Sequence, residues 1–178
     1  MKIAILHIGD VDKAATRSIR NGLCKALPKI ACTVLKEAMP IPQEAYNSTR
    51  KQYKSIYILA RVSDFIEDLD AECVLGIADV DLYVPRLNFV FGQAECPGRF
   101  AIISLTRLNP QFFGHPPSNS LFHDRALKEA VHEIGHTLGL HHCRNSRCVM
   151  FFSNSLLDTD RKGPSFCVSC YSHVARRT

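Results

Sequence analysis

One stretch of the chain, residues 132–150, carries an unusual density of metal-binding side chains. It reads HEIGHTLGLHHCRNSRCVM and contains three candidate imidazole ligands, a carboxylate beside the first histidine, and two thiols. His132 and His136 are four residues apart, so on a helix they lie on one face, one turn apart, where both rings reach a single ion. The chain must therefore fold so that a helix presents a metal site.

Gly139 and His142 extend this pair into a longer pattern. A glycine at position 139 can adopt the left-handed conformation that ends a helix and turns the chain, which brings a third ligand back to the metal. His142 then completes the spacing His-Glu-x-x-His-x-x-Gly-x-x-His, the long zinc signature of metzincins. His141 comes one residue too early, and we expect it to point away from the metal or to support the turn.

The sequence argues against other choices for the third zinc ligand. A thermolysin-like site takes a glutamate from a later helix as its third ligand, but no glutamate follows Glu133. An aspartate ligand, Asp158 or Asp160, stays open and is redundant if His142 binds. Histidines that only pack or face solvent are the remaining alternative, and the added Gly139 and His142 make that coincidence uncommon on composition alone.

Four cysteines follow the histidines in two close pairs separated by a loop. They are Cys143 and Cys148, then Cys167 and Cys170. This arrangement is typical of a closed four-sulfur structural zinc site, which would hold a small C-terminal lobe on the end of the active-site helix. The other four cysteines occur singly in helix or strand patterns, and we predict that they are free buried thiols: Cys24, Cys32, Cys73 and Cys96.

Length and composition favour one compact domain and exclude several partners. A chain of 178 residues with 46% hydrophobic and 22% charged residues builds one core, or one core and a small lobe. The net charge of +5 is spread out, without the basic face interleaved with aromatics that nucleic acid requires. The first apolar run is too short for a signal peptide, and no later run reaches membrane-spanning length. We expect a cytoplasmic monomer whose thiols stay reduced.

The apolar pattern predicts strand, helix, strand, helix, and then three more strands before the active-site helix. Asp10 is the predicted N-cap of the first helix and Pro28 its end. Strands are predicted at residues 2–8, 30–35, 73–78, 87–94 and 100–106, helices at residues 48–69 and 121–140, and a proline-rich surface loop at residues 109–119. This order predicts an α/β fold with a mixed sheet of about five strands in residues 1–142, and a small lobe in residues 143–178 that a metal helps to fold.

The run from His132 to Cys170 resembles the archaemetzincin family of zinc metallopeptidases. In that family the third histidine runs directly into the first cysteine, as His142 and Cys143 do here. The resemblance implies that Met150 is the methionine of the turn beneath the catalytic metal, and that the four paired cysteines hold a second zinc ion. It also implies a metzincin-like fold, with a twisted five-stranded sheet, a backing helix and an active-site helix above a small lower subdomain.

The ligand set predicts a zinc metallopeptidase with two Zn²⁺ ions per chain, one catalytic and one structural. Three neutral imidazoles leave a zinc ion its charge and an open position where bound water becomes a nucleophile. Glu133, beside His132, is the predicted general base. The alternatives are a zinc-dependent hydrolase of a non-peptide amide and a non-catalytic zinc-stabilised binding module. An intact Glu133 argues against the binding module, which needs no general base.

Three weaker signals concern the peptide substrate. Residues 87–93, LNFVFGQ, could form the edge strand above the cleft, although an ordinary buried strand explains them as well. Asp79 and Asp81 could attract a substrate amine, which would suit aminopeptidase-like action on short peptides, but paired acids in a turn are commonly solvated. Tyr171 could donate to the oxyanion, against the alternative of a surface tyrosine.

Overall fold

A computed structural model of the chain describes residues 1–27, 29–66 and 69–175. Pro28, the predicted end of the first helix, and residues 176–178 of the predicted lobe lie outside the described residues. The strands are β1 (Lys2–Ile8), β2 (Ala31–Met39), β3 (Tyr46–Asn47), β4 (Gln52–Lys54), β5 (Cys73–Ala78), β6 (Leu82–Tyr83), β7 (Gly92–Ala94) and β8 (Phe100–Ser104). The helices are α1 (Lys13–Ala26), α2 (Ser55–Phe65), α3 (Asn119–Thr137), α4 (Leu156–Arg161) and α5 (Val168–Val174).

The main sheet has five strands in the order β2-β1-β5-β8-β7. The first four run parallel, and β7 runs antiparallel to β8 at one edge. The predicted mixed sheet of five strands, and with it the α/β fold class, is therefore confirmed. The edge strand β7 lies next to α3, which places the active-site helix beside the open edge of the sheet.

Helices cover both faces of this sheet. Side chains of β1 alternate between the two cores: Ile3 and Ile5 pack with α1 and α3, whereas Leu6 and Ile8 pack with α2. Burial on both faces is the usual state of central parallel strands. Among the residues that the structure describes, no helix combines the length and the apolar character that crossing a membrane requires.

The helix predicted at residues 48–69 is wrong in its bounds. It begins at Ser55 and ends at Phe65, because residues 52–54 form β4, which pairs with β6 and β3 in a second, three-stranded sheet. Ile56 on this helix is 43% exposed, whereas Ile58 and Val62 are buried against the sheet. Strand pairing between distant residues decides the boundary, and helical periodicity carries no information about it.

The N-cap of α1 is Asp12 and not the predicted Asp10. Its Oδ1 accepts hydrogen bonds from the backbone N–H groups of Ala14, at 2.7 Å, and Ala15, at 3.3 Å. Gly9 turns the chain after β1 with a φ of 72°. Asp10 therefore lies in this turn, and the helix begins only at Lys13.

Other predicted boundaries shift by smaller amounts. The strand predicted at residues 30–35 continues to Met39, and the strand at residues 87–94 is confined to Gly92–Ala94. The strand at 100–106 ends at Ser104, and the helix at 121–140 spans Asn119–Thr137. The loop at 109–119 contains one short regular piece, a 3₁₀ helix at Pro110–Phe113.

Candidate active site

The active-site helix α3 ends in the turn that the sequence predicted. Gly139 has a φ of 84°, in the left-handed region. Its N–H donates to the carbonyl of His136 at 2.8 Å, and the N–H of Leu140 donates to the carbonyl of Gly135 at 3.0 Å, which satisfies carbonyls at the helix end. The reversal brings His142 back to the side of the helix that carries His132 and His136.

Three imidazoles converge there with the spacing of metal ligands. One ring nitrogen from each of His132, His136 and His142 lies within 4.8 Å of the others. The Nε2 atoms of His132 and His136 are 3.2 Å apart. Two nitrogens bound to one tetrahedral zinc ion, each at about 2.0–2.1 Å, lie about 3.3 Å apart. The observed separation therefore fits one zinc ion.

Backbone carbonyls fix which nitrogen of each ring is available. Nδ1 of His132 lies 2.8 Å from the carbonyl oxygen of Val149, and Nδ1 of His136 lies 2.7 Å from that of Leu140. Each Nδ1 must carry the proton to donate to a carbonyl, so each Nε2 carries a lone pair. Two facing lone pairs cannot hydrogen-bond to each other, and a shared cation resolves the contact.

The surroundings of the three rings favour their neutral, metal-binding form. Burial lowers the pKa of His132 and of His136 below the ordinary histidine value. Burial, helped by the neighbouring His136, lowers the pKa of His142 to about 4. His142 also stacks on the ring of His132, with centroids 5.4 Å apart, and contacts the ring of Phe152. A neutral imidazole is the ligand that zinc requires.

Glu133 lies beside the triad in a buried position, with 5% of its surface exposed. Burial raises the pKa of its carboxyl well above the ordinary value; the nearby Glu129 raises it further and Lys162 lowers it. Room for this side chain comes from Gly92 on β7: a Cβ added there would lie 2.7 Å from Oε1 of Glu133. This role of Gly92 was not predicted from the sequence, although a glycine inside a predicted strand is a signal of close backbone approach.

Met150 lies directly beneath α3. It is fully buried, and its Sδ packs so closely on Gly135 that a Cβ at that glycine would overlap the sulfur. The carbonyl of Met150 accepts a hydrogen bond from the N–H of Cys143 at 2.8 Å. Gly135, between the two histidines of the helix, is a second position that the sequence analysis did not single out.

A cleft with a volume of about 220 Å³ opens beside the triad. Residues 87–93 form one wall, and the opposite wall comes from α3 and from the segment that follows Met150. Of the two interpretations of residues 87–93, the structure favours the position beside the cleft, although only Gly92–Ala94 is regular strand.

Three residues with weaker predicted roles lie away from this cleft. Asp81 is held by Arg107 through contacts of 2.6 and 2.8 Å, and Asp79 accepts a hydrogen bond from the Thr106 hydroxyl at 2.8 Å. Tyr171 lies against a different groove, next to Met1. The geometry therefore gives no support to an amine-binding role for the two aspartates or to an oxyanion role for Tyr171. His141 is exposed and outside the triad, as predicted.

The four paired cysteines form a second cluster. Their Sγ atoms lie within 4.8 Å of one another, as the members of the histidine cluster do, and none forms a disulfide. Sγ of Cys143 is 3.8 Å from Sγ of Cys167, and two sulfurs on one tetrahedral zinc ion at about 2.3 Å each lie about 3.8 Å apart. The members are Cys143, Cys148, Cys167 and Cys170.

Backbone N–H groups point at these sulfurs. The N–H of Asn145 donates to Sγ of Cys143 at 3.5 Å, and the N–H of Cys167 donates to Sγ of Cys148 at 3.3 Å. The N–H of Cys170 lowers the pKa of the Cys167 thiol to about 7, whereas burial raises that of Cys148 and Cys170. Donors aimed at sulfur stabilise thiolates, so this cluster also fits a metal ion.

The prediction for the unpaired cysteines is right only for part of the set. Cys73 is buried, and burial raises its pKa to about 11. Cys32 is half-buried, but Cys24 and Cys96 are exposed. Cys24 is the residue after the buried Leu23 on α1, and its side chain lies on the solvent-exposed face of the helix. Cys96 follows the edge strand β7, where no neighbouring strand covers it in the described part of the sheet.

Known proteins resemble this chain over most of its length. The family model of peptidase family M54 matches residues 25–176. The archaemetzincin of Methanocaldococcus jannaschii is 44% identical over 183 residues, covering 99% of this chain and 94% of that protein. The crystal structure of archaemetzincin from Methanopyrus kandleri superimposes with a TM-score of 0.86 and 36% identity, over 99% of this chain and 94% of that one. A zinc-dependent peptidase from Methanocorpusculum labreanum gives a TM-score of 0.87 and 29% identity, over 97% of this chain and 99% of that one.

Proposed function

The chain belongs to peptidase family M54, the archaemetzincins, and is a zinc-dependent metallopeptidase; from this membership we propose how its cleft hydrolyses a peptide bond. His132, His136 and His142 hold the catalytic zinc ion, and Glu133 is the general base. The observation that carries this proposal is the convergence of three ring nitrogens within 4.8 Å, with the carboxylate of Glu133 buried beside them.

This proposal assigns a role in hydrolysis to several residues in and around the cleft. A bound zinc ion would acidify water to a pKa of about 7 and polarise the substrate carbonyl. The carboxylate of Glu133 accepts the proton from the attacking water and passes it to the nitrogen of the departing amine. The carbonyls of Val149 and Leu140 hold the two helical imidazoles in the binding tautomer. The open edge of β7 offers backbone groups along which an extended peptide can align.

The four-cysteine cluster binds a second, structural zinc ion in this proposal, which gives two Zn²⁺ ions per chain. Residues 143–178 then form the small lobe that this ion stabilises, attached to the subdomain of residues 1–142. Thiols serve as zinc ligands only while reduced, which suits a reducing compartment such as the cytoplasm. A monomeric state and the lack of a nucleic-acid partner belong to the same proposal. The aminopeptidase-like action on short peptides stays a prediction. Asp79 and Asp81, the acidic pair that suggested it, lie away from the cleft and give it no support.

Replacing Glu133 tests the assignment of the general base. We expect Glu133→Ala to retain the zinc content of the wild-type protein and to lower kcat/KM on a peptide library by about 10²–10⁴-fold, the usual contribution of general-base catalysis. Zinc is counted by atomic absorption and cleavage by mass spectrometry. The matched control is Glu37→Ala, which removes an exposed glutamate of β2 and should leave both readings unchanged. Peptide cleavage by Glu133→Ala at the wild-type rate would disprove the role.

A further inference from the structure

A buried ion pair lies in the floor of the cleft, one helical turn before Glu133. Glu129 on α3 is 3% exposed, and Lys162, just after α4, is 1% exposed. Nζ of Lys162 lies 2.9 Å from Oε1 of Glu129. The hydroxyl of the buried Thr159 donates to the same oxygen at 3.3 Å. Lys162 and Thr159, the two partners of Oε1, lie just after α4 and within α4, so this helix fixes the position of the Glu129 carboxylate.

Stability gives a poor explanation for this pair. Removing two charges from water costs free energy that their mutual attraction only partly returns, and apolar replacements of similar size are commonly neutral or stabilising. Nζ of Lys162 also donates no hydrogen bond of favourable geometry to any described residue, so the pair is not optimised as a structural bridge. A charged pair retained in the wall of a substrate cleft is better explained by what the cleft binds.

Part of the hydrogen-bonding capacity in this floor is unused. Both described contacts of Glu129 are to Oε1, so its Oε2 has no hydrogen-bond partner among the described residues. The side chain itself lines the cleft together with Ser153. Oγ of Ser153 is likewise buried without a partner in the described part of the chain. The floor of the cleft therefore contains a carboxylate oxygen and a buried hydroxyl that no described residue pairs.

The charge and the size of the cleft limit which substrate side chains it can accept. Lys162 neutralises Glu129, so the subsite carries no net charge from the pair and gives a cationic side chain no special advantage. An acidic side chain would place a second carboxylate against Oε2. An apolar side chain would cover Oε2 and leave both Oε2 and the already buried Oγ unpaired, and unpaired buried polar groups are costly. The volume of about 220 Å³, shared with the reacting bond, suits a small side chain.

We propose that Glu129, positioned by Lys162 and assisted by Ser153, forms a specificity subsite for a small neutral side chain with a hydrogen-bond donor, a hydroxyl or an amide, next to the scissile bond. This inference rests on the proposed function, because it assigns a preference to the peptide that the cleft cleaves. Glu129 is the specificity-determining residue, and Lys162 acts through it as a positioning residue.

Isosteric peptides test the preference. Quenched fluorescent peptides are prepared in sets that differ only at the residue on either side of the scissile bond, with Thr or Val, and with Asn or Asp. Thr and Val have nearly the same shape, but only Thr carries a donor. We expect zinc-loaded wild-type protein to favour Thr over Val, and Asn over Asp, by about 10-fold in kcat/KM, the scale of one buried polar group left unpaired.

A paired substitution removes the subsite without leaving a lone buried charge. Glu129→Leu combined with Lys162→Met keeps the volume and replaces the ion pair with apolar atoms, so the fold is retained. We expect this double variant to favour Val over Thr, and Ser153→Ala to reduce the Thr preference by a few-fold. A purely structural role for the pair would change the rates on all peptides equally and leave their ratio untouched.

Binding supplies a reading that is independent of turnover. Fluorescence anisotropy of labelled Thr and Val peptides on zinc-loaded Glu133→Ala protein gives the ratio of the two Kd values. Tighter binding of the Thr peptide that is lost when the paired substitution is added to Glu133→Ala would support the subsite. This conclusion holds even if wild-type protein cleaves none of these peptides, because missing cleavage would count against the proposed function alone. Equal Kd values, or a Thr-to-Val ratio that the paired substitution leaves unchanged, would overturn the inference.

Discussion

Glu133, the proposed general base, lies against a residue with no side chain. Gly92 brings β7 so close to α3 that an added Cβ would lie 2.7 Å from both Cγ and Oε1 of Glu133, and 2.6 Å from the carbonyl oxygen of Ile102. The Glu133 side chain can shift to relieve its part of this contact, but the backbone of β8 cannot. We therefore expect Gly92→Ala to displace the carboxylate and to lower kcat/KM by about 10²-fold, the scale of a misplacement of about 1 Å.

The control for this prediction is the same substitution outside the cleft. Gly163→Ala places a Cβ 3.3 Å from the carbonyl oxygen of Arg147, a contact that a small shift relieves. It should retain activity, and both variants should retain zinc. If Gly163→Ala loses as much activity as Gly92→Ala, the effect of Gly92 is general loosening and not displacement of Glu133.

Single residues were predictable from the sequence where their geometry is local. The spacing of His132 and His136 on one helix face, and the turn at Gly139 that returns His142, depend on neighbouring residues alone, and the structure brings these residues together. The ion pair of Glu129 and Lys162 joins segments far apart in the chain, as does the approach of Gly92 to Glu133. No local pattern encodes which distant residues meet, so these features required the structure.

Helices and strands show the same division at the scale of elements. The strands at Lys2–Ile8 and Cys73–Ala78 were predicted with their observed bounds, because continuous apolar runs mark central parallel strands. The short strands β3, β4 and β6 were missed, since two or three residues are too few for any periodicity to show. The pairing of β4 shortens α2. In the turn between β3 and β4, Arg50 donates to the carbonyls of Leu87 and Asn88 and so supports the start of residues 87–93.

The start of α1 gives a prediction that separates the two candidate caps. Asp12 accepts hydrogen bonds from two N–H groups of the first turn, whereas Asp10 is exposed in the preceding turn. We expect Asp12→Ala to lower the free energy of unfolding by about 1 kcal/mol, the usual worth of an N-cap, in guanidinium titrations of zinc-loaded protein. Asp10→Ala is the matched control and should change it by less than about 0.5 kcal/mol. Equal losses from both would mean that Asp12 does not act as the cap.

The two clusters of ligands form one structural unit at the scale of the whole molecule. His142 and Cys143 are consecutive, and the N–H of Cys143 donates to the carbonyl of Met150, which packs under α3. The carbonyl of Val149 in turn orients the ring of His132. Val149 and Met150 belong to the same hydrophobic core as α1 and α3. We therefore expect order in the cysteine cluster to be transmitted to the histidine cluster through these few shared residues.

Removing one thiol tests this coupling. We expect Cys167→Ser to lower the zinc content from the proposed two ions per chain to one, because the remaining three thiols no longer close the site. Loss of the structural ion should lower the free energy of unfolding by about 3 kcal/mol or more, which for a chain of this size lowers Tm by about 10 °C. Zinc is counted by atomic absorption, and Tm is measured by circular dichroism under reducing conditions.

The catalytic ion should respond as well, since His142 loses the neighbour that fixes its backbone. We expect its affinity for zinc, measured by competition with a chelator, to fall by about 10–100-fold, the usual effect of removing a group that supports a metal ligand. Cys24→Ser is the matched control: it changes an exposed thiol of α1 and should leave zinc content, Tm and chelator competition unchanged. A zinc count of two in Cys167→Ser would reject the structural site. A count of one with undiminished affinity at the histidines would retain that site but reject its coupling to His142, so the two clusters would then act independently although they share a peptide bond.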